Sequence, residues 1–70
     1  MNWIESPESS NIARFAYDDA NSVLIVDFLK GGSYNYYDVP QVIFDRMKAA
    51  PSKGRFLAQN VKGVYRYARA

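Results

Sequence analysis

The feature that most constrains the fold is the central stretch from Val23 to Val39, which reads VLIVDFLKGGSYNYYDV. Two runs rich in β-branched and aromatic residues are separated there by Gly31 and Gly32. Apolar runs of this kind, joined by a glycine-rich turn, are typical of a β-hairpin. We therefore expect two antiparallel strands, Val23 to Leu29 and Ser33 to Tyr37.

Two registers are open for this hairpin, and they differ in which side chains reach the core. A two-residue glycine loop would place Asp27 beside Tyr36, which either buries the carboxylate or exposes the tyrosines. A three-residue loop from Lys30 to Gly32, with Gly32 in the left-handed conformation, matches polar with polar and apolar with aromatic residues. We favour the second register, whose pairs are Phe28 with Tyr34, Asp27 with Asn35 and Val26 with Tyr36. Its core face carries Leu24, Val26, Phe28, Tyr34 and Tyr36.

The rest of the chain supplies one more strand and a cover for the sheet. Ile12 to Tyr17 reads as a strand, and the turn-forming residues 18–22 connect it to the hairpin. The sequence thus predicts an α+β fold: a three-stranded antiparallel β-meander followed by two α-helices packed on one face. The alternating tail suggests an additional short C-terminal strand near Tyr65 to Tyr67.

Helix boundaries follow from capping and breaking residues. Asp38 suits the start of a first helix, Pro40 is tolerated in its first turn, and the helix ends at Ala50-Pro51. Its apolar stripe consists of Val39, Ile43, Met47 and Ala50, with Phe44 beside them. Ser52 is expected to cap a second helix that runs to about Val61 and buries Phe56, Leu57 and Val61, with Lys53, Arg55, Gln59 and Lys62 facing outward. Gly54 indicates close packing, and Gly63 is expected to end the helix in the left-handed conformation.

The first residues contain Pro7 and a polar cluster, so residues 1–8 are predicted to form a flexible N-terminal arm and residues 9–70 a single domain. Trp3 and Ile4 are the exception within the arm. An apolar pair of this kind more often folds back onto the domain than anchors a ligand.

The composition argues against catalysis. The chain has no cysteine and no histidine, so thiolate, imidazole and disulfide chemistry are all missing. Asp18, Asp19 and Asn21 lack the 12-residue loop and the distal glutamate of a calcium hand. We expect no enzyme activity, no metal and no cofactor. Without a signal peptide or a membrane span, a cytoplasmic location is expected.

Charge is divided unevenly along the chain. Residues 1–40 carry six acidic and two basic residues, a balance of −4, whereas residues 41–70 carry seven basic and one acidic residue, a balance of +6. Such a split can be ordinary solvated surface, or it can form a basic face for nucleic acid or an acidic protein.

The ordered motifs resemble the KTSC domain, a family named for its occurrence at the C-terminus of some lysyl-tRNA synthetases and also found as a stand-alone small protein in bacteria and phages. The resemblance covers about residues 9–67. It rests on Ser9-Ser10-Asn11-Ile12, Tyr17, Leu24-x-Val26-x-Phe28, Gly31, Tyr34-x-Tyr36, Val39-Pro40, Ser52-x-Gly54-x-Phe56, Asn60 and Tyr65. The family implies RNA binding, a suggestion taken from the synthetase context.

We therefore expect a small non-catalytic module that binds RNA or single-stranded nucleic acid through a basic, aromatic C-terminal face. Single strands need rings for base stacking and cations for phosphates. The expected binding residues are Lys53, Arg55, Lys62, Tyr65, Arg66, Tyr67 and Tyr37, with Arg69 as a further cation. Tyr34 and Tyr36 are expected to be structural. The alternative is a protein-interaction module, an adaptor or inhibitor that docks on an acidic partner through the same segment.

Overall fold

The computed structural model describes residues 1–70 and shows an antiparallel sheet with two helices inserted before its last strand. The elements are β1 (Ile4–Glu5), β2 (Ile12–Asp18), β3 (Val23–Phe28), β4 (Ser33–Tyr36), α1 (Gln41–Ala49), α2 (Lys53–Asn60) and β5 (Tyr67–Arg69). The strand order in the sheet is β1-β2-β3-β4-β5. The α+β class is confirmed. None of the helices has the length and apolar character needed to cross a membrane.

The prediction of a three-stranded sheet is wrong, because a short strand adds to each edge of the meander. On one edge, Ile4 pairs with Phe15 and Glu5 with Arg14. On the other, the expected C-terminal strand forms slightly later than predicted, with Tyr67 opposite Tyr36. Flexibility of residues 1–8 stays a prediction, but the Trp3-Ile4 pair does fold back onto the domain.

The hairpin adopts neither of the two expected registers. Tyr34 lies opposite Val26 and Tyr36 opposite Leu24, two residues away from the favoured pairing. The reason is that the loop begins one residue earlier: the Phe28 N–H donates to the Gly32 carbonyl at 2.9 Å. Because the offset is an even number of residues, every side chain keeps its predicted face. Asp27 therefore lies opposite Ser33 and not opposite Asn35.

The core forms where the helices cover one face of the sheet. Nine buried residues make it: Ile12, Phe15, Leu24, Val26, Tyr36, Val39, Met47, Leu57 and Val61. Strand β3 contributes the alternating residues Leu24 and Val26, and β4 contributes Tyr36. In β2 the register shifts between Ile12 and Arg14, so Ile12 and Phe15 both reach the core although they are three residues apart. Helices α1 and α2 contribute Met47 and Leu57. The predicted core face of the hairpin is thus correct, although Tyr34 is only half-buried there.

The ends of the helices agree in part with the prediction. Ser52 caps α2 as expected, since its Oγ accepts a hydrogen bond from the Arg55 N–H at 3.2 Å. Asp38 does not cap α1, which has Pro40 at its N-cap and no side-chain cap. Instead, Asp38 has a positive φ of 57° and forms an ion pair with Arg66 at 3.0 Å. The left-handed conformation of Gly63 is confirmed by its φ of 77°.

Gly54 packs closely against the segment before β2, as its position suggested. A Cβ built at Gly54 would lie 2.6 Å from Asn11 Oδ1 and 3.4 Å from Ser9 Oγ. Ser9 Oγ in turn accepts hydrogen bonds from the N–H groups of Asn11 and Ile12 and donates one to Asn11 Oδ1. This contact ties the start of α2 to the start of β2.

Candidate functional site

One groove combines aromatic rings with positive charge, and it lies on the core face of the sheet beside β5. It has a volume of about 420 Å³ and is lined by Phe28, Lys30, Gly31, Tyr34, Tyr36, Lys62, Gly63 and Tyr67. The hairpin turn supplies one wall, and the segment after α2 supplies the other. The floor is the aromatic part of the sheet.

Sheet register explains why these rings meet. Tyr67 lies opposite Tyr36, and Arg69 lies opposite Tyr34, so all four side chains share one face. The face is sealed over Tyr36, which is 3% exposed, and open over Tyr67, which is 61% exposed. The groove is therefore the part of the aromatic face that the helices leave uncovered.

The rings form a connected cluster with defined angles. Phe28 and Tyr34 meet edge to face, with centroids 5.5 Å apart and an interplanar angle of 86°. Tyr67 tilts over both neighbouring tyrosines, with its centroid 5.6 Å from that of Tyr34 and 5.8 Å from that of Tyr36. Such offset and edge contacts are the favoured aromatic geometries. They hold Tyr67 on the sheet while most of its side chain remains in water.

Three cations surround the cluster. Lys62 Nζ lies 5.8 Å from the centroid of the Phe28 ring, and Lys30 projects from the hairpin turn that lines the groove. The Arg69 guanidinium rests against the same turn, since a Cβ at Gly32 would lie 3.4 Å from its Nη2. The chain's four ion pairs use Arg14, Lys48, Lys53 and Arg66. The positive charge around the groove is therefore not neutralised by a carboxylate.

Tyr36 is also among the groove-lining residues. Burial raises the pKa of this phenol, and the nearby Tyr34 and Tyr67 hydroxyls add to the effect. No buried polar side-chain atom in the chain lacks a hydrogen-bond partner. The phenol therefore stays protonated near neutral pH and can donate a hydrogen bond.

The structure brings together only part of the predicted binding set. Lys62 and Tyr67 line the groove, and they are joined there by Tyr34 and Tyr36, which were expected to be structural only. Tyr36 is indeed a core residue. Tyr34 is half-buried and belongs to both the core and the groove.

Two predicted cations are engaged elsewhere. The expectation that Lys53 faces outward is wrong: its side chain is 14% exposed, lies 3.4 Å from Glu8 and donates to the Ala50 carbonyl. Arg66 lies on the other side of the sheet, where it pairs with Asp38 and its Cζ lies 5.1 Å from the centroid of the Tyr37 ring.

The remaining predicted residues lie outside the groove. Arg55 is exposed in the first turn of α2, and Tyr65 packs half-buried against the core. Phe28 and Lys30 were missed as site residues. Lys30 could have been found from its place in the turn that closes the aromatic hairpin, but Phe28 carries no signal that separates it from the core.

Comparison with known proteins agrees with this architecture. Residues 8–65 match the KTSC domain. A protein from Tsukamurella paurometabola is 44% identical over 59 residues, which cover 84% of this chain and 88% of that protein. A lysine–tRNA ligase from Trichormus variabilis is 33% identical over 61 residues, and the matched segment covers 87% of this chain but only 11% of the ligase.

A solved structure extends the likeness to three dimensions. The crystal structure of a KTSC domain protein from Yersinia pestis superposes with a TM-score of 0.93 and 30% identity, covering 99% of this chain and 96% of that one. The likeness therefore includes β1 and β5 at the two edges of the sheet. On the match to the family and to these relatives, the chain belongs to the KTSC domain family.

Proposed function

We propose that this chain is a small non-catalytic binding module that holds single-stranded RNA in the groove between the hairpin turn and the segment after α2. The observation that carries the proposal is the placement of three unneutralised cations, Lys30, Lys62 and Arg69, around the exposed ring of Tyr67. Packing of the core does not require an exposed aromatic ring. An ordinary solvated helix face does not require cations without acidic partners.

Each part of the groove has a counterpart in a single strand. Unpaired bases stack on aromatic side chains, and a stack contributes about 1–3 kcal/mol per base as measured by alanine substitution. Lysine and arginine contact the phosphates and make affinity dependent on salt. The relatives named lysine–tRNA ligase have tRNA in their own name, and their matched segment aligns with nearly all of this chain. That supports RNA ahead of DNA as the ligand.

A titration of fluorescently labelled oligouridylate at low salt tests the proposal. Lys62→Glu places a negative charge at the groove, whereas Lys48→Glu makes the same change of net charge on α1, where Lys48 already pairs with Asp45 at 3.4 Å. We expect Lys62→Glu to weaken binding at least tenfold and Lys48→Glu to weaken it less than threefold. Equal losses would show that the RNA senses net charge alone, and no binding by the unmodified chain would refute the proposal.

A second candidate function, binding of an acidic extended peptide, is favoured by the free edge of β5. The Tyr37 N–H donates to the Arg66 carbonyl, and the Ala70 N–H donates to the Ser33 carbonyl. The backbone groups of Arg66 and Ala70 therefore face β4. Because such pairs alternate along antiparallel strands, the N–H and C=O groups of Tyr67 and Arg69 face away from β4. A partner strand could pair with them, and the surrounding positive charge would select acidic side chains.

Amide hydrogen exchange distinguishes the two functions. A peptide that adds to the sheet would protect the Tyr67 and Arg69 amides, because their N–H groups would become hydrogen-bonded to it. RNA stacked on the ring of Tyr67 would leave those two amides exchanging at their original rate. Protection by an acidic peptide, together with no binding of oligouridylate, would replace the RNA proposal with the protein one.

A further inference from the structure

The groove offers stacking area for one base only. Of its four rings, Tyr36 is buried, and Phe28 and Tyr34 are half-buried and turned edge to face against each other. Tyr67 alone is mostly exposed, at 61%. The groove volume of about 420 Å³ lies toward the small end of the roughly 300–1,000 Å³ range of ligand pockets.

The positive charge is equally local. Lys62 lies on the wall after α2, and Lys30 and Arg69 lie at the hairpin turn. No other cation is part of the groove lining. Lys53 pairs with Glu8, and Arg66 pairs with Asp38 on the other side of the sheet. Neither of these two cations adds to the positive charge of the groove.

Arg55, although exposed, is separated from Lys62 by most of α2. Arg55 and Asn60, the last residue of α2, are five residues apart, which is about 7.5 Å along the helix axis at 1.5 Å per residue, and Lys62 follows two residues later. Arg55 is not part of the groove lining. The cations at the groove are therefore Lys30 and Lys62 in its lining and Arg69 against the hairpin turn.

Resting on the proposed function, we infer that the groove receives a single unstacked nucleotide together with its two flanking phosphates, and not a tract of nucleotides. The base stacks on Tyr67. One flanking phosphate meets Lys62, and the other meets Lys30 and Arg69 on the opposite wall. The chemical class of ligand is an unpaired nucleotide within a single strand, a loop or a bulge, since a base inside a duplex has no free face to stack.

A length series combined with a salt series tests this inference. A uridine trinucleotide has one internal base with two flanking phosphates, and a dodecamer has about ten such positions. If one nucleotide fills the groove, the dodecamer binds about tenfold more tightly, which is the statistical factor alone. The slope of log K against log salt should lie near about −1.4, as expected for two phosphates on a single strand.

Two variants of Tyr67 provide the matched control. Tyr67→Phe keeps the ring and should bind both oligonucleotides within about twofold of the original chain. Tyr67→Leu keeps an apolar side chain on β5 but removes the stacking surface, and should weaken both by the same factor of about 5 to 150. Melting temperatures of both variants report whether β5 is still formed.

The possible results separate the inference from the proposed function. A dodecamer that binds more than 100-fold better than the trinucleotide, or a salt slope steeper than about −3.5, means that several nucleotides are bound. Either result would overturn the single-nucleotide inference while leaving RNA binding in place. Tyr67→Leu that binds like Tyr67→Phe would also overturn it. No binding of either length at low salt would overturn the proposed function as well.

Discussion

A methyl group added at Gly54 tests the packing that joins α2 to the start of β2. In an exposed helix position, Gly→Ala usually stabilises a protein by up to about 1 kcal/mol. Here the new Cβ would lie 2.6 Å from Asn11 Oδ1, whereas an ordinary carbon–oxygen contact is about 3.3 Å or longer. Asn11 Oδ1 must therefore move by about 0.7 Å, as judged from that contact distance.

That movement has a calculable consequence. Asn11 Oδ1 accepts a hydrogen bond from Ser9 Oγ at 2.9 Å, and a shift of this size lengthens it toward about 3.6 Å, at which it no longer counts as a hydrogen bond. Its loss costs about 0.5–1.5 kcal/mol. The stabilisation from the higher helix propensity of alanine and the cost of the lost hydrogen bond nearly cancel. Gly54→Ala should therefore change the free energy of unfolding by less than about 0.5 kcal/mol.

A double-mutant cycle measured by urea denaturation separates the two terms. Asn11→Ala removes the obstructing oxygen, so Gly54→Ala in that background should recover its full helical gain of about 1 kcal/mol. In a domain of this size, that corresponds to a rise in melting temperature of about 4–8 °C. If Gly54→Ala stabilises the original chain as much as it stabilises the Asn11→Ala variant, the two residues are not coupled and the reasoning is wrong.

Three further outcomes are expected. Tyr36→Ala should lower the free energy of unfolding by about 3–5 kcal/mol, because Tyr36 is only 3% exposed. Tyr34→Ala should lower it by less than half as much, because Tyr34 is half-buried. Equal losses measured by urea denaturation would contradict this difference in burial. Ser52→Ala removes the N-cap of α2 and should cost about 0.5–2 kcal/mol in the same assay, and no loss would mean that the cap is dispensable. A hydrogen bond from Ser33, helped by a neighbouring guanidinium, lowers the pKa of Asp27 below its usual value. The resulting stabilisation is fully present above the unfolded-chain pKa of about 3.9 and is lost as the pH falls through the lower folded-state pKa. The stability of Asp27→Asn, measured by thermal melts, should therefore change less between about pH 4 and pH 2 than that of the original chain. Identical pH profiles would show that Asp27 does not contribute to the pH dependence of stability.

Much of the fold could be predicted from local patterns. The hairpin, the Ser52 cap and the Gly63 helix end all follow from the conformational preferences of a few neighbouring residues. The faces of the hairpin were correct even though its register was not, because alternation along a strand is unchanged by a shift of two residues. Strand β1 was missed because two residues carry too little periodicity to predict a strand.

The amino-acid sequence by itself determined which residues are apolar, where the chain turns and that the C-terminal half carries the positive charge, because these properties belong to each residue and its immediate neighbours. Only the tertiary structure decided which cations have a carboxylate partner. Lys53 pairs with Glu8 and Arg66 with Asp38, acids that lie far away along the chain. In the same way, β5 brings Tyr67 beside Tyr34 and Tyr36 by pairing across the sheet. Long-range contacts of this kind assemble the groove, and no local pattern records them.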